Sequence, residues 1–270
     1  MSRIKNKFLE LKQKNEKALI AYIMVGYPNE KSTISAIRGL VNGGADIIEL
    51  GFPFSDPIAD GPVIQNASNI SLNNGIKIEK FFQIIKQIRK ETDIPLVLMT
   101  YTNILYKIGY EKFMQKAKNA GIDGFILPDM SIEESKNYVN AARKSKLDTI
   151  FLISPNTSTK RIKKILKVTS GFLYLVSMYG TTGMQTKIQK YTIDAIKKTK
   201  RVVNKKKPIG IGFGVNTPQD AKKFLSLGVD AVIVGSAFLR LIEKTPPKKI
   251  ESKITFFTRS LKNTTKLCDE

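Results

Sequence analysis

Three times along this chain a helix-like segment closes on Gly, an Asp follows two residues later, and an apolar, β-favouring run comes next. The copies are Gly44-Ala45-Asp46-Ile47-Ile48-Glu49-Leu50-Gly51, Gly121-Ile122-Asp123-Gly124-Phe125-Ile126-Leu127-Pro128 and Gly228-Val229-Asp230-Ala231-Val232-Ile233-Val234-Gly235. Glycine just past a helix takes the left-handed conformation cheaply, which stops the helix before a strand. Near-continuous apolar strands, buried on both faces, mark a parallel sheet. The repeat therefore points to alternating β/α units.

Eight strands are expected, at Leu19–Val25, Ile47–Leu50, Leu96–Thr100, Gly124–Leu127, Thr149–Ile153, Phe172–Ser177, Ile209–Gly212 and Ala231–Val234. Helical periodicity lies between them, over Lys31–Val41, Ile78–Glu91, Tyr110–Asn119, Ile132–Ser145, Thr159–Val168, Thr192–Val203 and Thr217–Leu227. One or two further helices are expected across Ala237–Leu261, and an N-terminal helix before strand one. Ser131-Ile132-Glu133-Glu134 and Thr217-Pro218 carry helix-start chemistry. Eight units in 270 residues suit an α/β fold of the (β/α)8 TIM-barrel type, as a single domain over 1–270. A doubly wound open sheet is the alternative, since periodicity alone does not close a sheet.

Composition removes several chemistries. The chain has no His and a single Cys, Cys268, so it excludes Ser-His-Asp and Cys-His machinery, His-ligated zinc and any CxxC site. Proton transfer then falls to Asp, Glu, Tyr or Lys. The net charge of +22 raises a nucleic-acid partner, but 37 of the 45 basic residues are Lys rather than the forked Arg that reads phosphates and bases. The Lys runs fall at helical spacing, as in 160–167 around the apolar stripe of Ile162, Ile165 and Leu166, and read as solvated helix faces. No stretch approaches the ~20 apolar residues of a membrane span. A cytoplasmic protein without nucleic-acid or membrane partners is expected.

Barrel chemistry sits at the C-terminal strand ends. Glu49 interrupts an apolar strand there and, by alternation, points opposite to Ile48 and Leu50, toward the barrel axis. Burial raises a carboxyl pKa and prepares it for acid/base work near neutrality. The loop from Pro53 to Pro62 is stiffened by three prolines and carries Asp56 and Asp60, and Asp60 can return toward the same pocket. Gly183 closes the loop after strand six, Gly212-Phe213-Gly214 follows strand seven, and Gly235-Ser236 ends strand eight before a short helix. Loops after strands seven and eight, with such a helix N-terminus, form the recurrent phosphate site of this fold. A phosphorylated substrate follows. Tyr174 shares a face with Phe172 and Val176, where a phenol either fills the core or hydrogen-bonds substrate or carboxylate; Tyr22 and Tyr101 give an aromatic lining.

The run from Glu49 to Ala67 closely resembles the signature of the tryptophan synthase α subunit family. Pro128-Asp129, the run from Tyr174 to Thr182-Gly183, Gly212-Phe213-Gly214 and Gly235-Ser236 match in the same order, so the resemblance covers roughly Leu19 to Leu241. It implies a (β/α)8 lyase that cleaves indole-3-glycerol phosphate to indole and glyceraldehyde 3-phosphate. Glu49 would be the acid/base at the indole carbon and side-chain hydroxyl, Asp60 the acid facing the indole nitrogen, and Tyr174 the assisting phenol. Gly183, Gly214, Gly235 and Ser236 would bind phosphate; Tyr22, Tyr101, Thr182, Gly212 and Phe213 would line the pocket. The resemblance also implies an αββα assembly in which pyridoxal phosphate belongs to the β subunit and this chain carries no cofactor. Met178-Tyr179-Gly180-Thr181 departs from the family's usual Arg-x-Gly-Val. Another phosphosugar barrel, an epimerase or isomerase, would share the glycine sites but not the Glu49-to-Ala67 run.

Overall fold

The apolar runs become strands because their β-branched and aliphatic residues can be buried on both faces once helices cover the outside. A computed structural model describes residues 1–176, 188–212 and 214–266. Thr182, Gly183, Phe213, Cys268 and the run Met178–Thr181 lie outside the described residues. The chain opens with α1 (Arg3–Gln13), β1 (Ala18–Met24), α2 (Glu30–Asn42) and β2 (Ile47–Gly51). Two helices, α3 (Pro62–Asn73) and α4 (Ile78–Arg89), lead to β3 (Leu96–Met99). Two more, α5 (Thr102–Ile108) and α6 (Tyr110–Ala120), lead to β4 (Gly124–Ile126). Single helices then alternate with strands: α7 (Lys136–Lys144), β5 (Asp148–Ile153), α8 (Thr159–Val168), β6 (Leu173–Val176), α9 (Lys190–Val203), β7 (Ile209–Gly212), α10 (Pro218–Ser226) and β8 (Ala231–Val234). The last helices are α11 (Ser236–Glu243) and α12 (Ile250–Asn263).

All eight strands are parallel to their neighbours, and β8 returns to pair with β1. The sheet is closed, so the barrel expectation holds and the open doubly wound sheet does not. Among the described residues no helix is long and apolar enough to cross a membrane.

The repeat now has a physical cause. Gly44, Gly121 and Gly228 all have positive φ, as a helix stop requires. Each following Asp closes the N-terminal end of the preceding strand in the chain. Asp46 accepts the Leu19 N–H at 2.8 Å and donates its own N–H to the Leu19 carbonyl. Asp123 treats Leu96 the same way, and Asp230 treats Ile209. A strand's first backbone groups lack ladder partners, and leaving them buried and unpaired would be costly. The three aspartates therefore belong to the bottom rim, away from the chemistry.

Alternation along each strand separates two cores. Leu19, Ala21, Ile23, Ile48, Leu50, Leu96 and Leu98 pack outward on the helices. Ile20, Ile47, Val97, Ile126, Phe172 and Ile233 fill the axis. Ile4, Phe8 and Leu11 of α1 join that inner cluster, with Phe8 and Phe172 rings 5.9 Å apart, so α1 plugs the lower end. The open end is the C-terminal one.

Strand and helix edges differ from the sequence expectation by one or two residues where the hydrogen-bond ladders stop. The expected Ile132–Ser145 helix begins only at Lys136. Ser131 accepts the Glu134 N–H and donates to its carboxylate, closing a separate turn instead of the first helical turn. α3 and α5 were not expected. In α3 the buried face carries Ser68 and Ser71, whose hydroxyls bond the Phe54 backbone and the Ala67 carbonyl, so hydrophobic periodicity is hidden. α5 has seven residues, too few for a periodic signal.

Candidate active site

A cavity opens at the C-terminal strand ends, with Tyr22, Glu49, Asp60 and Tyr174 on its walls. Glu49 reaches it because Ile48 and Leu50 face the helices, and register places it between Tyr22 of β1 and Val97 of β3. It is buried, and its Oε2 has no hydrogen-bond partner among the described residues. Burial first, and the charge of Asp60 second, push its carboxyl up to about 8. An orphaned buried carboxyl oxygen is costly unless protonated or bound, which is the condition of a group awaiting a substrate.

Asp60 is delivered by the loop after β2. The Tyr101 hydroxyl donates to Asp60 Oδ2 at 3.2 Å and accepts the Ala59 N–H at 3.2 Å, while Gln65 donates to the Asp60 carbonyl at 2.8 Å. Phe54 stacks on Tyr101 with ring centroids 4.9 Å apart. Asp60 lines the cavity, and its buried Oδ1 has no partner among the described residues. Burial raises the Asp60 carboxyl to about 6, against the lowering effect of the Tyr101 hydrogen bond. The loop's other acid, Asp56, stays exposed and outside the cavity lining.

Two carboxyls in one cavity are thus pushed apart: near pH 7 Asp60 is ionised and Glu49 holds a proton. Such a split separates an acid from an electrostatic partner, although the protons come off the pair as coupled steps. The Tyr22 and Tyr174 phenols are raised by burial and then by both acids, so they remain neutral.

Tyr101 acts through Asp60 rather than on the wall of the cavity. A hydrogen bond to the ionised form is worth about 1 kcal/mol, or about fivefold in proton affinity. Tyr101→Phe is therefore expected to raise the Asp60 pKa and move the acid limb of the kcat/KM profile toward neutrality. Activity at pH 6, where Asp60 is already half protonated, should fall about threefold more than at pH 7.5; an acid limb that does not move would remove this positioning role.

The glycines divide into two kinds. Gly214 has φ +85, which only glycine adopts readily, and it lines the cavity with Gly235 and Ser236. Gly235 caps α11 and Ser236 begins it, so the helix's first free N–H groups open near the cavity. Gly212 has a different neighbour from the expected substrate: a Cβ there would lie 2.2 Å from the Tyr174 hydroxyl. Gly51 makes the same room for Tyr22, also at 2.2 Å. Both glycines let an inward phenol stand upright, which residue-level reading did not extract. It also did not find Asn216 and Arg240, which line the same cavity from beyond β7 and β8. The signal for Arg240 was its spacing, four residues beyond Ser236.

Residues 8–266 match the family described as tryptophan synthase alpha chain. The tryptophan synthase alpha chain of Methanosarcina barkeri is 44% identical over 261 residues, covering 97% of this chain and 96% of that one. That of Aquifex aeolicus is 42% identical over 254 residues, covering 93% and 94%. Among solved structures, Mycobacterium tuberculosis tryptophan synthase aligns with a TM-score of 0.90 at 29% identity, covering 99% of both chains. A chain of the Pyrococcus furiosus a2b2 tryptophan synthase complex, described as mutually activating, aligns at 0.84 and 36% identity, covering 91% of this chain and 98% of that one.

Proposed function

Because the chain belongs to the tryptophan synthase alpha chain family, we propose that Glu49 and Asp60 carry the family's lyase chemistry in this cavity. The reaction is the retro-aldol cleavage of indole-3-glycerol phosphate to indole and glyceraldehyde 3-phosphate in tryptophan biosynthesis. The observation that supports the site is the pair of buried carboxyls, each with an oxygen unpartnered among the described residues, held at about 8 and about 6.

The steps follow from those protonation states. Protonated Glu49 gives its proton to the indole carbon that bears the side chain, which places positive charge on the ring nitrogen. Ionised Asp60 accepts that nitrogen's N–H and offsets the charge. The Glu49 carboxylate then takes the proton of the neighbouring hydroxyl. The carbon–carbon bond breaks, its electron pair neutralises the ring, and the aldehyde forms. Glu49 ends protonated, so the cycle needs no outside acid. Tyr174, held beside the acids by its strand, keeps a neutral phenol toward the reacting atoms. Tyr22 lines the indole side, while Gly214, Gly235 and Ser236 receive the phosphate; Gly183 and Thr182 are assigned to the same pocket by resemblance.

The α subunit is the part of tryptophan synthase without pyridoxal phosphate, which sits on the β subunit, and its partner is that β subunit in an a2b2 assembly. Exposed Asp56 and Ile58 in the loop carrying Asp60 stand on the side where a partner would receive indole. The whole chain, 1–270, works as one barrel domain with α1 beneath it. We assign it to the cytoplasm, since a phosphorylated intermediate does not cross membranes and is consumed where it is made.

Purified chain given indole-3-glycerol phosphate should release indole and glyceraldehyde 3-phosphate in equal amounts, slowly alone and faster with a β subunit. Isomerised or epimerised phosphosugar without indole would reject the assignment.

A further inference from the structure

Among the described residues lining the cavity, Arg240 of α11 is the one cation. Ser236 and Arg240 are four residues apart, so their side chains share one edge of the helix. Ala237, Phe238, Leu239 and Ile242 are buried on its other sides. Arg240 Nη2 donates to Asn216 Oδ1. Asn216 donates in turn through Nδ2 to the Gly214 carbonyl at 3.3 Å, and through its backbone N–H to Asp220 Oδ2 at 3.2 Å. The tie therefore joins the loop after β7 to the helix after β8.

Arg240 is half-buried and makes no ion pair among the described residues, whereas Arg3, Arg38, Arg89 and Arg161 each hold a carboxylate. A guanidinium has five N–H donors in a planar fork, and Asn216 engages it through one acceptor. Backbone N–H groups and a helix end supply only partial positive charge. A phosphate dianion beside them lacks a full counter-charge.

We propose that Arg240 supplies that counter-charge: its guanidinium binds the phosphate of the substrate, and Asn216 holds it at the mouth of the β7 and β8 loops. This rests on the reading that phosphate enters between Gly214 and Gly235. Asn216 is a positioning residue and Arg240 a ligand.

The test follows indole release by Arg240→Met and Arg240→Lys from the phosphorylated substrate and from dephosphorylated indole-3-glycerol. Charge-assisted hydrogen bonds of this strength correspond to about 10- to 100-fold in binding. Arg240→Met is expected to lower kcat/KM for the phosphorylated substrate by about 30-fold, chiefly through KM, and for indole-3-glycerol by less than about threefold. Arg240→Lys should recover part of the loss, because an ammonium keeps the charge but not the fork. Equal losses on both substrates, or no loss on either, would overturn the proposal. Wild-type enzyme that does not prefer the phosphorylated substrate would instead remove the phosphate reading itself, and the proposal with it. If Arg240→Met does not fold, competitive inhibition by inorganic phosphate decides in Arg240→Lys: weakening supports the contact, and wild-type strength overturns it.

Discussion

Glu49→Gln is expected to lower kcat by about 10²–10⁴-fold while KM changes little. Gln keeps the volume and hydrogen-bonding reach of the side chain but has no proton to exchange. The reaction asks one group to deliver a proton to carbon and then take one from oxygen, and the chain contains no His to share that work. Glu49 is buried, inward-facing and protonated near neutrality, so among the described residues it combines position with proton affinity. Steady-state indole release measures the effect. A variant that keeps more than about a tenth of the wild-type kcat would mean that the essential proton travels by another route.

The same substitution has a stability consequence of known sign. In the folded chain Glu49 holds its proton up to about pH 8, whereas the ordinary value is 4.5. Between these pH values the unfolded chain releases a proton that the folded chain keeps, so stability falls as pH rises and levels off above about 8. Asp60 acts in the same direction between 3.8 and about 6. Glu49→Gln removes the larger of these losses, on the order of a few kcal/mol before the buried amide's own desolvation is subtracted. Its Tm relative to wild type should therefore climb from pH 5 to pH 8. Activity lost and alkaline stability gained would be the mark of a carboxyl kept buried for chemistry.

Legibility in the sequence followed the physics of each signal. Periodicity and glycine stops are local, so β7 and β8 fell on Ile209–Gly212 and Ala231–Val234 as expected, and α8 on Thr159–Val168. Closure of the sheet is a long-range pairing of β1 with β8, which no local pattern encodes. Glu49 was readable because alternation alone orients a strand residue once its neighbours are known to face helices. Asp60 was readable only as a possibility, because its placement depends on the Tyr101 hydroxyl, 41 residues away. Gly51 and Gly212 carry their meaning in the phenols of the neighbouring strands, and the Arg240–Asn216 tie spans 24 residues through a side chain. Contacts of that kind become visible only when the strands are assembled.

Asp60→Asn separates the two carboxyls' contributions. Asn keeps one acceptor oxygen, which can serve the indole nitrogen or Tyr101 but does not replace both carboxylate oxygens, and it brings no negative charge to the positive ring. A preorganised charge in a water-poor site is worth about 3–4 kcal/mol at the transition state, so kcat should fall by about 10²–10³-fold. The pH profile should change with it. Wild-type activity is expected to rise as Asp60 ionises near pH 6 and to fall as Glu49 loses its proton near pH 8. Removing Asp60 removes the acid limb. It also removes the neighbouring charge that helps hold Glu49 high, so the alkaline limb should move below pH 8. Burial, the larger cause of the Glu49 shift, remains, and the limb should therefore stay well above the ordinary 4.5. A variant that keeps kcat within about tenfold, with an acid limb still near pH 6, would place the stabilising charge elsewhere in the cavity.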